Sequence, residues 1–543
     1  MKKTRRLLAI LLALLFTLPI LASCNGGGNG DSSSPATDSS PSQDAPVVSD
    51  APPSDSADAP PDPGSGANAD RTLNIAASQD SGTLYPLGVT GGFVGILYCL
   101  YEPLYDTMAD GSRKWVLATA LDRVTDLQYT LKIREGVNFS NGNPLTAEDV
   151  MFSMELCRDN PQFNLNVKVV DFEKTKVTDD FTIDLHYTEF NASQEPGFAS
   201  MFVIDKESFD EVSLSRNPIG TGPYTVSDYV VNNHLSVTAR DDYWGEPAKI
   251  KNIEFKVINE DSQIINALET HDVDMSLIQI SDADFVKDTL GYDVTISNAG
   301  YNYITLFSMQ PGNPLESKEA RWAVSHAINR EDIAELLFKG RSEITDYPAS
   351  EAMYDFEPRF ADINETYSIG YDPQRATELA EQTGLIGKTL RIITNGSSPY
   401  NTIAEIVQAN LIDIGINADI INYDQATYFP MMMDANNFEI AIFNPSAPSM
   451  LAVDVLAMYL TFIPLGWEGP DRDRYGELSQ SAISTADPAE RSDKLFEAIK
   501  YFVDFDPWYG LCEVVMARAQ SPDVGGVNYT PAGSIYYNEI FFK

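Results

Sequence analysis

The sequence predicts an α/β protein whose folded body divides into two lobes. Strand patterns and helix-capping signals both recur along residues 71–543, and together they predict the α/β class. Their order predicts the lobes, because a strand-rich first part is followed by alternating strands and helices and then by a strand-rich tail. We expect the tail to return to the first lobe, so that the chain crosses between the lobes twice.

The first part contains two half-buried strands with a helix between them. Residues 127–133 and 181–187 alternate apolar and polar side chains, the period of a strand with one buried face. Between them, Thr146 and Asp149 predict a helix start through a variant of the capping box. Another strand is expected over 72–76, before a short loop and the apolar segment 93–100.

The middle part alternates helices and strands, which predicts a mainly parallel sheet. A helix is predicted over 319–339, ended by Gly340, and another from Asp372-Pro373 to Gly384. The remaining expected elements are strands at 390–393, 416–421 and 439–443, helices at 402–412, 428–434 and from Asp487-Pro488, and tail strands at 514–516 and 536–542.

The N-terminal segment has the parts of a secretory signal. Four basic residues within the first six precede the apolar run 7–21, and Leu21-Ala22-Ser23-Cys24 resembles the bacterial lipobox. This predicts a lipoprotein signal peptide over 1–23 and lipid on Cys24, which holds the chain on the outer face of the cell membrane. The alternative is a plain signal peptide with an incidental cysteine. Residues 24–70 are rich in Gly, Ser, Pro and Asp, which predicts a disordered tether.

The composition argues against several classes of function. A formal net charge of -42 excludes nucleic acid as a partner, because phosphates require cationic surfaces. Cys99, Cys157 and Cys512 are far apart in sequence and predict buried thiols, although one disulfide is possible. The four histidines are scattered, and no catalytic, phosphate-binding or metal-binding motif is found. We therefore predict no enzyme activity and no cofactor.

Six segments of the body carry sequence motifs. They are Tyr101–Tyr105 (YEPLY), Tyr129–Val150 (YTLKIREGVNFSNGNPLTAEDV), Pro218–Tyr224 (PIGTGPY), Asp242–Gly245 (DYWG), Arg321–Arg330 (RWAVSHAINR) and Tyr371–Ala376 (YDPQRA). In this order they resemble motifs of the peptide/nickel family, family 5, of ABC-transporter solute-binding proteins. Their local features are turns and packed aromatics, so they identify the scaffold more than the ligand.

The resemblance implies a two-lobed, periplasmic-binding-protein-like fold of type II, with an extra subdomain in lobe one. It implies lobe one over 71–306 and 512–543, the extra subdomain over 107–218, and lobe two over 307–511. Two crossing segments, 301–307 and 510–515, form the hinge. A monomer of this kind closes on a solute and docks on ABC permease subunits in the membrane.

The resemblance and the sequence pattern place candidate ligand-binding residues on both lobes. In lobe one they are the loop residues Asp80, Ser81, Gly82 and Thr83, whose small side chains permit close approach to a solute. In lobe two, Phe443, Asn444 and Ser446 follow a buried strand. Tyr303, Trp508 and Tyr509 are added from the hinge. For Phe443, Trp508 and Tyr509, a place in the core is an equal alternative.

The ligand is expected to be an oligopeptide or dipeptide. Peptide-binding relatives use an acidic residue for the peptide ammonium group, but Ser446 stands at that position here, with Asp454 or Asp80 as possible replacements. The same scaffold could bind an oligosaccharide, a metal chelate or another polar solute, or act as a peptide-sensing receptor. A surface lipoprotein hydrolase is the alternative from a different class.

Overall fold

The computed structural model describes most of the predicted body. It describes residues 71–88, 94–108, 112–160, 163–345, 347–363, 369–445, 449–461, 466–530, 533 and 535–543. The predicted signal peptide, Cys24 and the tether lie outside these residues. Within the described ranges, no helix combines the length and apolar character needed to cross a membrane.

One ten-stranded sheet runs through the body and joins its two lobes. Its strand order is β14-β13-β15-β12-β16-β11-β1-β10-β9-β8. These strands are β1 (Thr72–Ala77), β8 (Tyr224–Val230), β9 (His234–Ala239), β10 (Asn252–Val257), β11 (Met275–Ile278), β12 (Asp293–Phe307), β13 (Thr389–Thr394), β14 (Asn417–Asn422), β15 (Ile440–Phe443) and β16 (Trp508–Gln520). We call residues 71–292 with 524–543 the first lobe and residues 308–507 the second lobe.

The two longest strands of this sheet are the connection between the lobes. β12 and β16 pair antiparallel from Asp293–Gln520 to Leu306–Trp508, with register shifts between Asn298 and Asn302 and after Tyr303. Both predicted hinge segments therefore lie on neighbouring strands, as the two-lobed fold requires. The exact domain boundaries, which fall inside these strands, stay a prediction.

The second lobe is the α/β layer that the sequence indicates. β13 pairs parallel with both β14 and β15, and β15 pairs antiparallel with β12. Asp372 caps its helix by accepting a hydrogen bond from the Arg375 backbone N–H, and that helix ends at Gly384.

The helix predicted over 319–339 is wrong in one respect, because the structure contains two helices there. Ile328 adopts an extended conformation after Ala327, and the second helix begins at Arg330. The Asn329 side chain donates to Asp332, and its backbone N–H donates to the Asn410 side chain 3.0 Å away. These two bonds stabilise the break, since Asn competes well with helical backbone bonding at such positions.

The helices are distributed over both lobes. In chain order they are α1 (Leu97–Leu100), α2 (Ala147–Asp159), α3 (Gln194–Ala199), α4 (Glu211–Leu214), α5 (Asp261–Glu269), α6 (Ala283–Asp288), α7 (Lys318–Ala327), α8 (Arg330–Phe338), α9 (Pro373–Thr383), α10 (Ser398–Asp413), α11 (Gln425–Met432), α12 (Ala452–Thr461), α13 (Pro470–Ile483) and α14 (Pro488–Phe505).

The first lobe also carries a smaller, separate sheet. Its order is β4-β5-β7-β6, from β4 (Ala118–Thr125), β5 (Gln128–Ile133), β6 (Lys176–Asp179) and β7 (Thr182–His186). The predicted capping box at Thr146 and Asp149 is confirmed at the start of α2. This sheet and α2 share a hydrophobic core distinct from that of the large sheet. The remaining short strands are β2 (Tyr105–Thr107), β3 (Arg113–Trp115), β17 (Val524–Gly525) and β18 (Phe541–Phe542).

The three described cysteines are thiols. Cys99, Cys157 and Cys512 are all free and buried. Burial raises the pKa of each thiol. The prediction of buried thiols is confirmed.

Candidate functional site

Two cavities lie between the lobes, and the first is beside the connecting strands. It has a volume of about 790 Å³. We call it the hinge-side cavity, and its walls include Ser297 of β12, Arg518 of β16, Lys114 and Tyr529 of the first lobe, and Glu351 and Met353 of the second lobe. Both lobes and both connecting strands therefore contribute to one partly open cavity, which is the position where a closing hinge would capture a ligand.

The second cavity lies between the smaller sheet and the helices of the second lobe. We call it the flank cavity; it has a volume of about 540 Å³ and is lined by Tyr129 and Glu195 on one side and by Glu357 and Arg491 on the other. Tyr354 of the second lobe contacts the first lobe nearby, because its hydroxyl donates to the Thr107 carbonyl at 2.9 Å. Thr107 and Tyr354 line the flank cavity, whereas the adjacent residues Met108 and Met353 line the hinge-side cavity. A Tyr354 contact thus separates the two spaces.

Further polar contacts hold the lobes together. The Ala192 backbone N–H donates to the Ile483 carbonyl at 2.9 Å, across the lobes. Asp454, which could replace the missing acid, is bonded by Ser449 at 2.7 Å and also interacts with Ser193 of the first lobe. Burial raises the pKa of Asp454. Its carboxyl group therefore forms contacts in both lobes.

The candidate loop of the first lobe is bonded within that lobe. The Asp80 carboxylate accepts hydrogen bonds from the Tyr229 hydroxyl at 2.6 Å and from the backbone N–H groups of Asn232 and Gly82 at 2.8 and 2.6 Å. Burial opposes its ionisation, but these bonds and the Arg216 charge outweigh burial and lower its pKa. Asp80 thus fastens the loop to the β8–β9 hairpin.

The other three residues of this loop differ in their exposure and contacts. Ser81 is buried, Gly82 is exposed, and the Thr83 hydroxyl accepts a hydrogen bond from the Tyr85 backbone N–H at 3.1 Å. None of the four candidates lines the hinge-side or the flank cavity. Their contact with a solute stays a prediction.

The candidates at the end of β15 do meet the hinge tyrosine. The Tyr400 hydroxyl donates to the Asn444 side-chain oxygen, and the Tyr400 ring lies 5.7 Å from the Tyr303 ring. Phe443 pairs with Ile304, the residue after Tyr303, and packs partly buried against the core. Tyr303, Phe443 and Asn444 therefore form one cluster, as their sequence positions suggest, although Tyr303 is only 7% exposed. Ser446 lies outside the described residues.

The two remaining aromatic candidates, Trp508 and Tyr509, are packed in the core of the second lobe. Trp508 packs against Phe502 and Tyr459, with ring centroids 5.4 and 6.1 Å away. The Tyr509 hydroxyl donates to the Ile369 carbonyl, and the Arg330 guanidinium lies over its ring. Trp508 and Tyr509 are 3% and 2% exposed, so their packing favours the core alternative over contact with a solute.

The histidines are engaged away from both cavities. His186 contacts Asp184, His234 contacts Asp228, His271 contacts Tyr292, and His326 contacts the Gly370 carbonyl. In the described parts of the chain, no group of three or more potential metal-ligating side chains is placed to hold a metal ion.

Sequence reasoning missed Arg518, one of the charged residues of the hinge-side cavity. Arg518 is the single cation in the otherwise uncharged segment 514–520 of a strongly acidic chain. That isolated charge within a strand was the available signal, but it belongs to none of the six motifs. Tyr529 and Ser297, which contact Arg518, carry no comparable signal.

Residues of the sequence motifs connect parts of the first lobe to one another. The buried Glu102 carboxylate of YEPLY accepts bonds from Tyr243 and Trp244 of DYWG at 2.6 and 2.8 Å. Burial raises the pKa of Glu102 to about 7. A Cβ on Gly222 would lie 2.5 Å from the Cys99 carbonyl oxygen, so only glycine fits there.

Arg240 links two of the motif segments through its buried guanidinium group. It donates to the carbonyls of Gly220 and Gly222 at 3.4 and 3.2 Å, and to those of Asn138 and Phe139 at 3.2 Å each. In the second lobe, Arg321 similarly donates to the Phe505 and Asp506 carbonyls. The motifs are therefore recognisable because they hold the scaffold.

An α/β body with two lobes, paired connecting strands and interlobe cavities is the architecture expected of a solute-binding protein. In agreement, residues 115–462 match the family model described as bacterial extracellular solute-binding proteins, family 5 Middle. The chain belongs to this family, whose members are extracytoplasmic binding proteins of ABC importers.

Individual relatives and solved structures agree with this assignment. The nickel-binding periplasmic protein of Escherichia coli is 24% identical over 362 residues, which are 62% of this chain and 68% of the relative. The dipeptide-binding protein of the same species is 24% identical over 345 residues, 57% of this chain and 63% of the relative.

The fold matches solved structures over 87% of this chain. The substrate-binding protein CtaP of Listeria monocytogenes has a TM-score of 0.75 at 22% identity, with 99% of its own chain covered. DppA of Helicobacter pylori, solved with the peptide STSA, has a TM-score of 0.73 at 20% identity, with 98% covered. These likenesses confirm the predicted fold class.

Proposed function

We propose that this chain captures a short peptide between its lobes and delivers it to an ABC permease, without chemical turnover. The observation that carries the proposal is the hinge-side cavity, which both lobes and both connecting strands line. Its volume of about 790 Å³ lies within the range of roughly 300–1,000 Å³ common for small-ligand sites. The similarity to the Escherichia coli dipeptide-binding protein supports peptide as the solute class.

Capture then depends on movement of one lobe against the other. β12 and β16 carry the chain between the lobes, and the Tyr354–Thr107 and Ala192–Ile483 bonds hold the closed arrangement. Because a solute between the lobes contacts both, its binding energy favours the closed state. The permease would then recognise the closed pair of lobes.

A scattering and binding measurement tests this proposal. The full chain is dialysed either against a tryptic digest of casein or against buffer without the digest, and the two samples are compared by small-angle scattering. The N-terminal tether contributes equally to both samples. We expect a smaller radius of gyration with the digest, and recovery of the bound peptides with unchanged masses. An unchanged radius without retained peptide contradicts capture, and shortened peptides would instead indicate a hydrolase.

The second part of the proposal is attachment to the membrane through lipid on Cys24. It is supported by the lipobox-like segment ending at Cys24 and by the composition of residues 24–70. A Cys24→Ala chain should leave the membrane fraction and appear in the medium or the soluble extracytoplasmic fraction. If the variant remains with membranes in high salt, another attachment exists and the lipid-anchor proposal is wrong.

A further inference from the structure

Arg518 presents an incompletely bonded guanidinium group to the hinge-side cavity. One terminal nitrogen, Nη1, donates to the Ser297 hydroxyl at 2.6 Å. The other, Nη2, has only the Met516 sulfur at 4.0 Å. Among the described residues no carboxylate pairs with this side chain, and no oxygen accepts from its Nε or Nη2 atoms. An arginine has five N–H donors, so most of its hydrogen-bonding capacity is unused.

Other cations around the two cavities already have an ion-pair partner or an oxygen acceptor. Lys114 pairs with Glu539 at 2.8 Å in the hinge-side cavity, and Arg113 of the flank cavity pairs with Glu195. Arg491 of the flank cavity donates to the Thr485 carbonyl and lies near Asp355. The contrast shows that Arg518 keeps its charge available in a chain that has abundant carboxylates.

The surroundings of Arg518 hold its planar group in one orientation. The Tyr529 ring lies 4.5 Å from the central guanidinium carbon, and Ser297 fixes one terminal nitrogen. Burial lowers the pKa of Arg518, because the desolvated cation has no carboxylate to offset the loss of water. A ligand anion in the cavity would supply that missing charge.

We propose that Arg518 binds a carboxylate of the captured solute and thereby makes this protein selective for solutes with an anionic group. The inference rests on the proposed capture of peptides in the hinge-side cavity. A guanidinium fork matches the two oxygens of a carboxylate, and such charge-assisted bonds are stronger than neutral ones. Glu351, an exposed residue that also lines the cavity, would suit a solute that carries a positive charge as well.

Esterified peptides provide a direct test. The full chain is dialysed to equilibrium against a tryptic casein digest, or against the same digest with its carboxylates converted to methyl esters, and retained peptides are quantified by mass spectrometry. The variants are Arg518→Met and Arg518→Lys. Arg375→Met is the matched control, because Arg375 is an exposed arginine of α9 that pairs with Glu378. Thermal unfolding of each variant checks that it is folded.

The wild type and Arg375→Met should retain peptides from the untreated digest and about tenfold to a hundredfold less from the esterified digest, the loss expected for a charge-assisted bond. Arg518→Met should lose a similar factor with the untreated digest, and Arg518→Lys should lie between. Equal retention of both digests by the wild type, or undiminished retention by a folded Arg518→Met, overturns this inference and leaves the peptide-capture proposal standing. A wild type that retains neither digest overturns both.

Discussion

Two sets of polar groups in this molecule differ in how much of their hydrogen-bonding capacity is used. Glu102 and Arg240 of the first lobe have their hydrogen-bonding partners inside the scaffold. Arg518, on β16, has two nitrogens without an oxygen acceptor. Glu513, on the same strand, is hydrogen-bonded with Ser350, but one of its carboxylate oxygens is buried without a partner. The contrast teaches that Glu102 and Arg240 hold the fold, whereas the unused donors of Arg518, which lines the hinge-side cavity, are available to a solute.

The largest expected effect concerns Arg240, whose hydrogen bonds hold the scaffold of the first lobe. Arg240→Met removes the donor to four buried carbonyls and the partner of Asp242, while a surface control, Arg375→Met, removes one exposed ion pair. We expect the first change to lower the free energy of unfolding by about 3–5 kcal/mol and the second by less than about 0.5 kcal/mol. Urea unfolding at pH 7 measures both. Similar small losses in the two variants would remove the distinction between the sets.

The next effect is a pH dependence that comes from Glu513. Burial raises its pKa to about 7 from an ordinary value of 4.5, and nearby Glu343 and Glu351 act in the same direction. The folded chain therefore binds this proton more tightly than the unfolded chain. The contribution of Glu513 to the free energy of unfolding is complete below pH 4.5 and is lost as the pH rises through about 7.

Replacing Glu513 by Gln should remove this dependence. Relative to the wild type, Glu513→Gln should gain up to about 3 kcal/mol in unfolding free energy between pH 4.5 and pH 8, from the size of the pKa shift. Urea unfolding across this range provides the measurement, and Glu381→Gln, at an exposed position of α9, is the control. Parallel stability curves for wild type and Glu513→Gln would show that the pKa of Glu513 is not raised in the folded chain.

The smallest effect compares two glycines. A Cβ on Gly222, in the PIGTGPY motif, would approach the Cys99 oxygen and the Leu100 carbonyl carbon to 2.5 and 2.6 Å, whereas a Cβ on Gly82 meets nothing within 4 Å. Gly222→Ala should therefore cost about 1–3 kcal/mol through overpacking. Gly82→Ala should cost about 1 kcal/mol, because its φ of +74° disfavours alanine. Thermal unfolding that shows the reverse order would contradict the scaffold role of the motif.

Much of the fold could be predicted because its signals are local. The alternation at 127–133, the Thr146–Asp149 capping box and the Asp372-Pro373 helix start each depend on neighbouring residues, and the structure has β5, α2 and α9 at these places. The break between α7 and α8 was missed because its stabilising bond comes from Asn410, distant in sequence. Local patterns contain no information about such a partner.

The candidate site was harder to predict for a related reason. Trp508 and Tyr509 are adjacent to the hinge in sequence, but their rings complete the core formed with Tyr459 and Phe502. Arg518 lies on the same strand, where its role depends on Ser297 of β12 and Tyr529 of the tail. Cavity walls assembled from several distant segments leave no contiguous pattern in the chain, unlike the motifs that hold the scaffold.

A crystal structure of the full chain with a peptide retained from the casein digest tests the central claim most directly. The account predicts peptide density inside the hinge-side cavity, with a carboxylate oxygen about 2.7–2.9 Å from an Arg518 guanidinium nitrogen and both lobes in contact with the peptide. Peptide density in the flank cavity or on the outer surface, with Arg518 still bonded only to Ser297, would contradict it.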